Sequence, residues 1–240
     1  MERYFASVKE GVASLSEESA HHLRDVMRGR SGETIEIVSE GKVYEAMIAS
    51  VKPLKITIQK EIETASELPR HLILAFSLLK GGHDELVLMK GTELGVGAFA
   101  PFVSSRTIIR LEKGEGEKRR SRYEKIVIGA AEQSKRTMIP EVNPIRNYRD
   151  ILEIKADHRY LAYEGKSLGS FELRGMFSSL GKEETVLAVV GPEGGFSGEE
   201  ADLARAKGFE EISLGKRILR AETASLYLAS VFAFLSEGGK

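Results

Sequence analysis

Hydrophobic and polar positions follow one period up to about residue 66 and another beyond it. In the first stretch, residues 34–38, 43–48 and 54–58 alternate apolar with polar side chains, and Gly32, Gly41 and Pro53 punctuate them. This pattern predicts a small β-barrel. Ahead of it Ser16 is placed to cap a short helix that would carry Leu23, Val26 and Met27 inward at helical spacing. Residues 64–69, Thr-Ala-Ser-Glu-Leu-Pro, break both periods and mark a boundary between domains spanning 1–66 and 70–240. Beyond the boundary, apolar runs at 71–76, 98–103, 160–163, 185–190 and 211–214 alternate with amphipathic stretches near 84–94, 117–136, 198–207 and 222–236. Such alternation predicts an α/β domain built on a largely parallel sheet.

Composition narrows the chemistry. The 240 residues carry 35 basic and 36 acidic side chains, so any attraction to a polyanion must be local. It is local in two places: Arg3, Arg24 and Arg28 near the N-terminus, and residues 102–149, which hold 12 Lys/Arg against 6 Glu. There is no cysteine, which excludes disulfides, thiolate metal sites and cysteine nucleophiles. The five histidines lack the spacing of a helical zinc motif, so no metal site is expected. The first residues lack the apolar core of a signal peptide and no run is long enough to span a bilayer, so a cytoplasmic protein is expected.

The densest chemical signal is Gly191-Pro192-Glu193-Gly194-Gly195, at the end of the apolar run 185–190 and just before a helix. Ligands of α/β proteins bind at such strand ends, and glycines let the backbone approach them. The loop has neither the lysine of a P-loop nor the spacing of a dinucleotide fingerprint, which argues against an NTPase. A second glycine, Gly215, ends the run 211–214 and leads into Lys-Arg-Ile-Leu-Arg-Ala-Glu-Thr, residues 216–223, before the last helix. Two neighbouring loops of this kind could hold an uncharged purine through backbone hydrogen bonds.

The run GPEGGFSGEE, followed by SLGKRILRAETA, resembles the cofactor-binding signature of the SPOUT methyltransferases, in the form found in the ribosomal RNA uridine N3-methyltransferase family. The likeness extends to Glu-Leu-Gly-Val at 93–96, Glu-Gln-Ser-Lys-Arg at 132–136 and His-Leu-Arg-Asp-Val-Met-Arg at 22–28. The chain departs from the family pattern at Lys80-Gly-Gly-His-Asp-Glu and at Gly91, where alanine is usual.

The resemblance implies a PUA-like RNA-binding barrel, a SPOUT α/β domain with a trefoil knot, a homodimer, and S-adenosylmethionine as methyl donor. Its substrate would be N3 of a uridine in 16S ribosomal RNA, free or within the small ribosomal subunit. Carried over by position, the cofactor would lie against Leu161, Glu164, Gly191, Pro192, Glu193, Gly194 and Gly195. Leu214, Gly215, Ile218, Leu219, Arg220, Ala221, Thr223 and Ala224 would complete that pocket. RNA contacts fall to Arg3, His22, Arg24, Arg28, Arg106, Gln133 and Arg136, although His22 taken alone reads more readily as a residue of the barrel core. Because uracil N3 carries a proton, the site must remove it or stabilise the resulting anion. Arg220 is the candidate for that charge, with Glu222 as a base or as the ion-pair partner of Arg220; bracing the last helix is the bland role for both. The rival function is a non-catalytic RNA-binding or ribosome-associated module.

Overall fold

The computed structural model describes residues 1–163, 180–181 and 183–237, and divides into two compact units. The first comprises Met1–Glu67 with Ala131–Met138, the second Leu68–Ala130 with Ile139–Lys240.

The first unit is a closed barrel of five strands, β1 (Arg3–Lys9), β2 (Val12–Leu15), β3 (Thr34–Ser39), β4 (Lys42–Val51) and β5 (Leu54–Ile62), in the order β1-β2-β5-β4-β3. Antiparallel pairs run round it until β1 meets β3 in parallel and closes the ring, leaving no free edge. Alternate residues point inward, and Tyr4, Ile35, Ile37, Ala46, Ile48 and Ile56 make the core. Between β2 and β3, Ser16 caps α1 (Glu17–His21) by accepting a hydrogen bond from the Ser19 N–H, as its sequence position predicts. The helix then widens into a π-helical turn over His22–Val26, with the Met27 N–H bonded five residues back to the His22 carbonyl. That turn overrides the inward placement expected for Val26 and Met27. Leu23 is buried, but the wider turn rotates the later positions outward, leaving Val26 59% and Met27 43% exposed.

Residues 131–138 join this unit through several contacts: Lys135 pairs with Glu36 at 2.9 Å, the Phe5 N–H donates to Glu132 at 3.3 Å, and one carboxylate, Glu67, collects a cluster of bonds. Glu67 accepts from Arg136 Nε at 3.1 Å, from Arg136 Nη2 at 2.6 Å and from the N–H groups of Thr137 and Met138 at 2.7 and 3.2 Å. Burial pushes the Glu67 carboxyl up, but the hydrogen bonds and charge of Arg136 outweigh it and hold the group below the usual carboxylate range.

The second unit carries a seven-stranded, wholly parallel sheet among the described residues. Its strands are β6 (His71–Ser77), β7 (Ala98–Val103), β8 (Glu141–Val142), β9 (Arg146–Asn147), β10 (His158–Ala162), β11 (Thr185–Val190) and β12 (Glu210–Ile212). The order is β12-β10-β11-β6-β7-β8, with β9 also paired to β7. Helices α2 (His83–Glu93), α3 (Glu115–Gln133) and α6 (Ala221–Glu237), with α4 (Tyr148–Ile151) and α5 (Gly198–Ala206), complete the described elements. Buried clusters on both sheet faces explain why β11, Thr-Val-Leu-Ala-Val-Val, reads as an unbroken apolar run. Gly91 has a packing reason: a Cβ there would lie 2.8 Å from the Phe99 ring, so glycine lets α2 lie close on β7. Helix α3, expected to reach residue 136, stops at Gln133, and Lys135 takes a left-handed conformation at φ 63°.

Candidate active site

The register of the sheet brings the candidate loops to one level. Phe76, Ala162 and Val190 lie side by side on β6, β10 and β11, and Ile212 of β12 is paired with Ala162. The chain therefore leaves all four strands from one row at the C-terminal edge, where ligands of parallel sheets bind.

At the end of β11, Pro192 to Gly195 form a turn closed by the Gly195 N–H on the Pro192 carbonyl at 2.9 Å, with Gly195 at φ 64°. Behind it Phe196 is buried, and Ser197 and Glu200 form a reciprocal capping box that starts α5. Two neighbouring loops brace the turn. The Glu193 carboxylate accepts from the Lys80 N–H at 3.2 Å, so at this residue the backbone, and not the lysine charge, makes the recorded contact. From the far side, Arg106 Nη1 donates to the carbonyls of Gly194 at 3.0 Å and Phe196 at 3.4 Å, and the Ser105 N–H donates to Glu200 at 2.9 Å. A Cβ built on Gly195 would meet nothing within 4 Å, so the turn is braced outside and open at Gly195.

The second loop leaves β12 through Ser213, whose hydroxyl accepts from the Gly215 N–H at 3.3 Å. Leu214 and Leu219 pack on the core, whereas Ile218 is 87% exposed. Among the described residues the N–H groups of residues 216–219 hold no hydrogen bond. Arg220 is exposed, and its carbonyl accepts the first bond of α6 from Ala224. Ala221 and Ala224 are buried and Thr223 is exposed. Glu222 is only 8% exposed and its partner is His83, whose Nδ1 lies 3.3 Å from Oε1; Arg220 makes no ion pair among the described residues. His83 is a residue that sequence reasoning missed, its one signal being the unusual Lys80-Gly-Gly-His-Asp-Glu spacing. Beside it, buried Asp84 accepts from Arg119 at 3.0 Å and from the Tyr123 hydroxyl; burial, reinforced by Asp84, pushes the Tyr123 phenol up. Leu161 is fully buried on β10, so only its backbone is available to a ligand, while Glu164 lies outside the described residues.

The arginines and other residues expected at RNA fall into three groups. Arg3 and Arg136 are each 4% exposed and engaged: Arg3 Nε meets Glu36 at 2.9 Å and its Nη1 reaches the carbonyls of Lys135 and Arg136, while Arg136 holds Glu67. They are internal struts of the first unit. Arg106 serves the Gly194 loop. By contrast Arg24 and Arg28 form no ion pair among the described residues, Gln133 is exposed, and His22 is exposed with its Nδ1 sharing a 3.2 Å hydrogen bond with the Tyr4 hydroxyl, which removes it from the barrel core. In α3 the three arginines of the basic run are held within the second unit, where Arg119 pairs with Asp84, Arg122 with Glu85 and Arg120 with Glu124.

Sequence profiles for an RNA methyltransferase domain and an RNA methyltransferase PUA domain match residues 66–233 and 15–61. The chain belongs to this RNA methyltransferase family. Among curated relatives, ribosomal RNA small subunit methyltransferase E of Bacillus subtilis is 33% identical, across 99% of this chain and 98% of the relative. A crystal structure of ribosomal RNA small subunit methyltransferase E from Neisseria gonorrhoeae, bound to S-adenosylmethionine, superposes with a TM-score of 0.86 at 31% identity, covering 98% of each chain. A Legionella pneumophila methyltransferase in complex with the same cofactor gives 0.87 at 30% identity over 96% of each chain. The PUA match falls on the five-stranded barrel and the methyltransferase match on the parallel sheet, which agrees with the architecture expected from sequence. Membership makes the chain a methyltransferase by family, and the loops at the C-terminal sheet edge are its candidate cofactor site.

Proposed function

We propose that this chain transfers a methyl group from S-adenosylmethionine to N3 of a uridine in small-subunit 16S ribosomal RNA. The observation that carries the reading is the pair of loops after β11 and β12. They leave one sheet edge two strands apart, a gap of about 10 Å, one braced from outside yet open at Gly195, the other with unbonded N–H groups. That donor set fits an uncharged purine held by backbone hydrogen bonds, and Leu214 and Leu219 offer it apolar walls.

When bound, S-adenosylmethionine supplies an electrophilic methyl group, so the protein needs neither a metal nor a covalent intermediate. Its own work is positioning and charge. Gly191 to Gly195, residues 214–219 and Ala221 to Ala224 would hold the donor, while the exposed Arg220 guanidinium stabilises the uracil anion left when N3 gives up its proton to solvent water. Glu222, fixed by His83, anchors the first turn of α6 and so the backbone that presents Arg220.

The barrel contributes RNA docking through Arg24, Arg28, His22 and Gln133, while Arg3 and Arg136 support that surface from beneath. We read the second unit as the knotted, dimer-forming one. Tyr227 and Phe234, two turns apart on α6, and Leu86 and Met89 on α2 are exposed apolar side chains suited to a second copy. No helix among the described residues is long and apolar enough to cross a membrane, and action on ribosomal RNA is the ground on which we read the protein as cytoplasmic. Mass mapping of small-subunit RNA from cells lacking and then regaining the protein tests the reading. A single N3-methyluridine should vanish and return; an unchanged methylation map together with no binding of S-adenosylmethionine would favour a non-catalytic RNA-binding module.

A further inference from the structure

Beyond the C-terminal ends of β7 and β9 lies a groove of about 390 Å³ that none of the cofactor loops uses. Its floor is apolar, made by Val103, Ile109, Leu111 and Ile145, all partly buried against the main core. Arg110 and Arg146 stand on its rim, exposed and without an ion pair among the described residues. Their freedom contrasts with Arg119, Arg120 and Arg122 of the same unit, each held by a carboxylate. Asn147 and Asp150 complete the lining with an amide and a carboxylate.

We propose that this groove seats one nucleotide of the substrate RNA, a neighbour of the methylated uridine; the proposal rests on the RNA methyltransferase reading. An apolar floor under two guanidiniums matches a base and the phosphates on either side of it. The volume is near the lower end of the ~300–1,000 Å³ typical of ligand sites, which suits a single nucleotide and not a folded partner. Asn147 and Asp150 can bond to the edge of the base, with Asp150 accepting from a ring N–H or amino group and so favouring a base that donates.

The groove is in register with the cofactor loops because both rest on one pinned segment. Thr107 is buried, and its Oγ1 accepts from the Ser104 N–H at 2.8 Å and bonds the Ser77 hydroxyl at 2.8 Å. One residue before Thr107, Arg106 holds the Gly194 loop; three residues after it, Arg110 reaches the groove. Four residues span at most about 14 Å even when fully extended. A short RNA strand can therefore touch both places, and a nucleotide in the groove fixes which neighbour is presented to the donor.

The test uses the full-length protein and unmodified, protein-free small-subunit ribosomal RNA. Replacing both arginines, R110A with R146A, should weaken RNA binding about 10- to 100-fold and flatten the plot of log K against log salt by about 1.4, two contacts at about 0.7 each. S-adenosylmethionine affinity, read by calorimetry, should stay within about twofold and report that the second unit is folded. The charge-retaining pair R110K with R146K should keep the salt slope but recover only part of the affinity, since lysine lacks the planar fork. D150N should leave the slope alone and change the preference among short RNAs that differ at the one neighbouring base. RNA affinity and slope unchanged in the double alanine variant, while the wild type methylates the RNA, would overturn the groove and leave the methyltransferase reading intact. A wild type that binds and methylates neither this RNA nor the assembled small subunit would remove both. Loss of binding to an acidic peptide, with RNA binding preserved, would assign the groove to a protein partner and refute the proposal.

Discussion

Replacing Arg106 by alanine separates two roles that one arginine could hold. In the sequence it stands among the candidate RNA contacts, yet in the fold its Nη1 donates to two carbonyls of the Gly194 loop, at 3.0 and 3.4 Å. A hydrogen bond to a charged donor is worth about 1.5–3 kcal/mol when sheltered. Arg106 is exposed and the second contact is long, so about 1 kcal/mol each, or about 2 kcal/mol together, is the reasonable figure. If that energy holds the turn in its binding shape, its loss weakens cofactor affinity about 30-fold, since 1.4 kcal/mol is tenfold. Titration calorimetry with S-adenosylhomocysteine measures this directly. Arg106→Lys, which cannot span both carbonyls with one planar group, should fall between, at about fivefold. RNA affinity should change less than cofactor affinity. The reverse, wild-type cofactor binding with weakened RNA binding in Arg106→Ala, would refute the bracing argument and return Arg106 to the phosphate contacts.

The remaining predictions concern the turn, the docking surface, the chemistry and the first unit. Gly195→Val should abolish cofactor binding by calorimetry, because φ 64° strains a β-branched residue and its side chain would enter the open side of the turn; retained affinity in a folded variant would take the turn out of the site. Arg24→Ala with Arg28→Ala should weaken RNA binding and lower its salt slope by about 1.4, without altering cofactor affinity. Arg220→Ala should slow single-turnover methylation at saturating RNA and cofactor by about 100-fold while RNA affinity stays near wild type; a wild-type rate would leave Arg220 a structural residue. Glu67→Gln should destabilise the first unit by about 2 kcal/mol in urea at neutral pH, by removing the carboxylate charge that faces the buried Arg136 guanidinium. The folded Glu67 carboxyl lies below its ordinary value near 4.5, so its stabilisation is present above that pH and is lost as pH falls through the lowered folded value. The variant should lack that part of the acid destabilisation.

Elements that bury one side chain type on a fixed period were readable from sequence, and elements stabilised from outside were not. The β11 run and the Ser16 cap appear where the pattern puts them, because burial on both faces and a side-chain cap are local facts. Strands β8 and β9 are two residues each, too short for any period, and exist because β7 offers them a ladder. The π-helical turn at 22–26 escaped for a similar reason: the residues Leu23, Val26 and Met27 fit an α-helical face, and only the completed hydrogen bond to His22 shows the wider pitch. The return of residues 131–138 to the first unit rests on Glu67, Glu36 and Arg3, charged residues far from that segment in sequence that carry no mark of their partners.

The candidate site divides along the same line. Glycine density marked the turn at 191–195 because the backbone itself must take an unusual shape there, and that demand is written in the residue type. Charge is less informative, since an arginine in a sequence does not show what it faces. Among the 12 basic residues of 102–149, Arg119, Arg120 and Arg122 lie in the densest run, and each is paired within the second unit, as a solvated helix face would have it. Arg110 and Arg146, isolated in sequence and separated by the whole of α3, meet at one groove because β7 and β9 pair and bring their ends together. A cation held by a carboxylate offers little to a phosphate, whereas a free one over an apolar floor offers both charge and a surface for a base. The useful quantity for locating an RNA contact is therefore not the local excess of positive charge but the part of it that the fold leaves unpaired.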